Sequence, residues 1–157
     1  MSENFELAVA TVRNLGNYFP GGGPEIRHTR ILRTLLNEAG VACYMNTTNA
    51  GADILSKDFV TEGKNDLLSS SVLHTLTGQI GGYVREGNLQ ILVVIYGDAS
   101  RTLLSELNAF KSHLEGTSGI FRVLNIRVVV MGKVVNNGPA NVHPSANDNS
   151  VFNLFNL

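Results

Sequence analysis

Residues 51–64 read GADILSKDFVTEGK. Two short apolar runs, DIL and FVTEGK, meet at a turn around Ser56-Lys57, and each carries charge where packing favours something neutral: Asp53 in the first, Glu62 and Lys64 in the second. Residues two apart in a strand share a face, so Glu62 and Lys64 point the same way, together with Val60. An even-length connection at Ser56-Lys57 pairs Asp53 with Val60 and sets its carboxylate diagonal to Glu62, within side-chain reach. A slip of one residue sends Asp53 to the other face. The parity of one turn decides whether these charges converge or merely line a sheet edge, where such residues prevent aggregation.

Working outward, FELAVATVRNLGNYF places Phe5, Val9, Val12, Leu15 and Phe19 near helical spacing, which predicts a helix over 3–18. PGGGP at 20–24 breaks the chain; with no Gly-Lys-Ser/Thr after it, this is not a phosphate-cradling loop. Pro24 and Glu25 suit a helix start and Gly40 its end, giving a second helix over 24–39. VACYM (41–45) reads as a strand, followed by the two runs quoted above. Serine caps and an apolar stripe of Val72, Leu73, Leu76, Ile80 and Val84 predict a helix over 70–86. Gly81 and Gly82 inside it imply a close approach by sheet backbone or ligand, since each weakens a helix by about 1 kcal/mol relative to alanine. LQILVVIY (89–96) is a central strand covered on both faces; Gly97–Ser100 turns into the amphipathic helix RTLLSELNAFKSHL, and FRVLNIRVVVMGK (121–133) is the last strand. The order predicts an α/β sandwich with a mixed sheet flanked by helices.

One domain over 1–135 accounts for these elements, and a chain of 157 residues buries roughly 70% of its unfolded surface. The Asn-, Pro- and Ser-bearing segment 136–157 reads as a flexible tail ending in the apolar peptide VFNLFNL. That peptide suits docking on a protein partner, on the chain's own surface or across a dimer. A single cysteine, Cys43, excludes an internal disulfide, no apolar run is long enough for a bilayer, and no leader pattern opens the chain, so a cytoplasmic protein without a membrane partner is expected. Net charge is −1, so nucleic-acid binding needs a local patch. Arg27, Arg30 and Arg33, three apart on the second helix, supply a candidate. His74, His113 and His143 have no partners at ligand spacing, which speaks against zinc.

Two carboxylates as close as Asp53 and Glu62 repel, and each raises the other's pKa unless a cation lies between them. A hard divalent ion is the natural solution; Mg²⁺ keeps several waters and takes one or two carboxylates. The carbonyl of Gly63 can add a ligand. Lys64 alongside would steady a metal-bound water or a phosphate, which suits phosphodiester hydrolysis.

Asp53, Glu62-Gly63-Lys64 and then Gln79-Ile-Gly-Gly-Tyr83 on the next helix together resemble the PD-(D/E)XK nuclease superfamily, with the Q-x-x-x-Y motif of its RecB-type members. The resemblance covers about residues 25–96. Ala52 stands where that family names a proline, and Gly63 where it usually has an apolar residue. What the resemblance implies is a restriction-endonuclease-like core of helix, three strands, helix, strand, here with an extra N-terminal helix and a C-terminal helix-strand. It also implies a Mg²⁺-dependent DNA endo- or exonuclease in which Mn²⁺ substitutes, with Asp53, Glu62 and Gly63 on the metal and Lys64, Gln79 and Tyr83 in the catalytic set. An accessory acid or histidine on the first core helix falls to Glu38, favoured for lying near the strand end, or to Glu25 or His28. DNA, contacted through Arg27, Arg30 and Arg33, is the expected partner, and homodimers are common in the family. The alternative is the same fold without catalysis, acting as an interaction or regulatory module.

Overall fold

The computed structural model describes residues 2–16, 18–19, 23–48, 50–117 and 123–136. Two helices lead, α1 (Glu3–Leu15) and α2 (Glu25–Glu38). Ser2 caps α1 by accepting from the Phe5 N–H, and Glu3 and Glu6 sit in its first turn, where the helix dipole favours acid. Pro24 stands at the N-cap of α2, and Gly40, at φ +97°, takes the left-handed conformation that ends it. Then follow β1 (Cys43–Met45), β2 (Ile54–Ser56), β3 (Val60–Lys64), α3 (Ser70–Arg85), β4 (Gln90–Ile95), β5 (Ala99–Ser100), α4 (Arg101–Thr117), β6 (Asn125–Val130) and β7 (Val134–Val135).

The main sheet runs β1-β2-β3-β4-β6, in chain order. β1, β2 and β3 are antiparallel neighbours, whereas β3, β4 and β6 are parallel. Short connections make the antiparallel half, and the longer α3 and α4 crossovers make the parallel half. Helices cover both faces. Ile91, Val93 and Ile95 of β4 pack beneath α3 and α4, while Leu92, Val94 and Tyr96 pack beneath α1 and α2. That double burial explains why ILVVIY is continuously apolar.

The protein is thus mixed α/β with a mixed five-stranded sheet, and several expected boundaries change. α1 stops at Leu15 rather than 18, because Gly16 turns to φ +58°. Residues 97–100, read as a turn, contain β5, which pairs with β7 while Ala99 also bridges Leu67. The last strand divides at Gly132, where the backbone passes so close to Gly97 that any Cβ would overlap its carbonyl. No sheet backbone approaches Gly81 or Gly82: the Arg85 guanidinium lies over both, and Gly81 faces Phe110 of α4. Among the described residues no helix is long and apolar enough to cross a membrane. The expected tail from 137, including VFNLFNL, and residues 20–22 of PGGGP lie outside the described residues.

Candidate active site

β2 pairs Ile54 with Thr61 and Leu55 with Val60. The turn is therefore Lys57-Asp58, closed by the Ser56 N–H on the Phe59 carbonyl at 3.0 Å, one residue beyond the expected position. The connection is still even, and pairing moves by two residues, so faces are preserved. Asp53 consequently lies beside Glu62 instead of opposite Val60. Its N–H donates to the Thr61 carbonyl at 3.1 Å, and its Oδ2 accepts from the Gly63 N–H at 2.9 Å.

Glu62 occupies an interior strand, with β2 on one side and β4 on the other, and its side chain is 1% exposed. A charged edge facing water is thereby ruled out. Oε1 accepts from the Tyr83 hydroxyl, and Oε2 lies 3.6 Å from Lys64 Nζ. Burial, then the Asp53 carboxyl by hydrogen bond and by charge, push the Glu62 pKa up to about 8 against the opposing pull of Tyr83 and Lys64. Burial first, and Glu62 next, push the Tyr83 hydroxyl well above the ordinary phenol range, so it remains a donor. Gln79 sits one turn before Tyr83, and its Oε1 is buried without a partner among the described residues. Compared with protein-family models, curated proteins and solved structures, the chain matches none.

Gly63 faces the opposite side of the sheet, where a Cβ would come within 2.8 Å of the Tyr96 ring carbons Cε2 and Cζ and closer still to the hydroxyl. The glycine is matched to that tyrosine. Lys64 gives its carbonyl to the Tyr96 N–H at 2.8 Å, on the β4 side. Backbone groups alternate along a strand, so the Gly63 N–H and carbonyl both turn toward β2 and Asp53. Two carboxylates and one carbonyl are what this site offers a cation. Among the described residues no group of three or more His, Cys, Asp or Glu side chains is placed to hold a metal.

Just past β3, Asn65 ties the strand end to α2: its N–H donates to Glu25 Oε2 at 3.0 Å, and its Oδ1 meets His28 Nδ1 at 3.1 Å. A cavity of about 200 Å³ opens there, lined by Glu25, Lys64, Asn65, Ser71 and Thr75 among others. Glu25 is thus the helix acid beside Lys64. Glu38, at the far end of α2, lines a different cavity with Tyr18 and Arg30, contrary to the preference given to it from sequence. Asn65 was missed; its signal was Glu25 and His28, three apart on one helix face.

Arg27 and Arg30 are exposed, whereas Arg33 is half-buried, with an Nε that is buried and unpartnered among the described residues. Steps of three residues rotate by about 60° backwards on a helix, which carries Arg33 out of the open sector. All three lie on α2, the layer covering the sheet face opposite Glu62.

Proposed function

We propose that the protein is a divalent-metal-dependent nuclease of the PD-(D/E)XK type acting on DNA. The observation that carries the reading is the convergence of Asp53 and Glu62 in an interior hairpin, with Lys64 Nζ 3.6 Å from Glu62. Supporting it, α2, β1, β2, β3, α3 and β4 follow the helix, three strands, helix, strand order of a restriction-endonuclease-like core.

The donor set suits Mg²⁺: hard oxygens only, two from carboxylates and one from the Gly63 backbone, with waters completing the shell. A cation would also let both carboxyls ionise at neutral pH, where without one Glu62 holds its proton to about pH 8. Asp53, fixed by the Gly63 N–H, and Glu62, fixed by the Tyr83 hydroxyl, would hold the ion. When bound it supplies an acidified water as the nucleophile. Lys64, with its side chain 12% exposed, presents its ammonium at the site mouth, where it steadies that water or a phosphate oxygen. Gln79, whose buried Oε1 has no partner among the described residues, is an acceptor that would help position the lysine. Glu25 stands at the adjoining cavity as the accessory acid, and Arg27 and Arg30, exposed on α2, are cations available to flanking phosphates.

The test is incubation of the protein with plasmid and linear DNA in Mg²⁺, Mn²⁺ or EDTA, alongside Lys64→Ala. Cleavage in either metal, lost in EDTA and in the variant, supports the reading. A wild type that neither cuts nor binds metal overturns it in favour of a non-catalytic interaction module.

A further inference from the structure

Tyr96 follows β4 directly and is 1% exposed, on the face opposite Glu62 and Lys64. Its ring is held by Phe19 at 4.8 Å and His28 at 5.2 Å between centroids. Three further contacts join it to β3 and α2. The ring and hydroxyl fill the space a Gly63 side chain would need, the N–H donates to the Lys64 carbonyl at 2.8 Å, and the hydroxyl bonds Thr29 Oγ1 of α2 at 2.8 Å. The same helix grips the next residue, Asn65, through Glu25 and His28. Gly63, Lys64 and Asn65 are therefore each anchored to Tyr96 or α2, while Glu62 and Lys64 project from the other side. A glycine inside a strand weakens it, so its presence here reflects a close approach that an alanine would prevent.

We propose that Tyr96 is a positioning residue for the Glu62–Lys64 pair, setting the height of β3 through Gly63 and tying it to α2 through Thr29. The chemistry it serves rests on the nuclease reading above; the geometry does not. A shift of β3 carries Glu62 and Lys64 together and changes where both stand relative to Tyr83 of α3, without touching either side chain.

Two readouts test this. One is the rate at which Lys64 is acylated by an N-hydroxysuccinimide ester, followed by mass spectrometry, which needs no metal. The other is Mg²⁺ affinity by calorimetry. Tyr96→Phe and Thr29→Val each remove one end of the same bond and should each change both readouts by about fivefold, roughly the worth of one hydrogen bond. The double variant should be no worse than either single, because the two share one interaction. Gly63→Ala should shift both readouts further, and Gly63→Ala combined with Tyr96→Leu should recover most of the loss. Folded Tyr96→Phe and Thr29→Val proteins whose Lys64 reactivity is unchanged, or single effects that simply multiply, would overturn the proposal. Should Gly63→Ala fail to fold, the two hydroxyl deletions still decide it. Absence of Mg²⁺ binding in the wild type would refute the nuclease reading alone, since the acylation rates report on Tyr96 either way.

Discussion

The Tyr83 hydroxyl donates to Glu62 Oε1 inside the core, linking α3 to the strand that carries Lys64. A hydrogen bond to a charged group contributes about 1.5–3 kcal/mol, and this one favours the ionised form of Glu62. Tyr83→Phe should therefore weaken Mg²⁺ binding at neutral pH by about tenfold, read by calorimetry, while circular dichroism shows an intact fold.

Stability should depend on pH in the direction opposite to an ordinary salt-bridged acid. The Glu62 pKa is raised from 4.5 to about 8, so its contribution is fully present below pH 4.5 and is lost as pH rises through about 8. Urea denaturation in EDTA should show declining stability between pH 5 and pH 8.5. Glu62→Gln, neutral at every pH, should flatten that decline, and Mg²⁺ should offset it in the wild type, since a ligand of the folded state stabilises it.

Asp53→Asn should separate stability from binding. The Asp53 carboxylate raises the cost of ionising Glu62, so removing its charge should raise the melting temperature of the metal-free protein at pH 8. The same change removes one of two carboxylate ligands and should reduce Mg²⁺ affinity by at least about a hundredfold, in the range of losing a charge-assisted contact. A variant that loses both stability and affinity would contradict this account.

Gly132→Ala should destabilise the protein by about 2 kcal/mol or more, because the backbone of Gly97 cannot move aside as a side chain can. Thermal unfolding measures it. A neutral effect would mean that the junction between β6 and β7 is looser than the close Gly97–Gly132 approach implies.

Arg27→Gln and Arg30→Gln should each lower the salt dependence of DNA binding by about one unit of slope, without changing sequence preference. Fluorescence anisotropy across a salt series reads this directly. Unchanged slopes would move the DNA path off α2.

Alternation alone made Glu62 and Lys64 legible as neighbours, and the even turn put Asp53 on their side. The turn itself was misplaced because Ser56-Lys57-Asp58 contains no glycine or Asn-Gly pair to mark it. Gly63 was legible only as a departure from the family pattern because its counterpart, Tyr96, is brought beneath it only by the β3–β4 pairing. Glu25 and Glu38 sit at opposite ends of one helix, and which end meets the site depends on how α2 lies across the sheet, something its own periodicity does not encode. β5 and β7, of two residues each, are too short to carry a period at all.

The turn at Lys57-Asp58 makes the site vulnerable to a single lost or gained codon. Removing one residue there would exchange the two faces of β2, bringing Ile54 to the Glu62 side and carrying Asp53 toward α1 and α2. Asp53, Glu62, Lys64, Gln79 and Tyr83 would all still be written in the gene. Among descendants of this sequence, hairpin length would then separate chains that keep the carboxylates together from chains that part them, and a search for the motif would pass both.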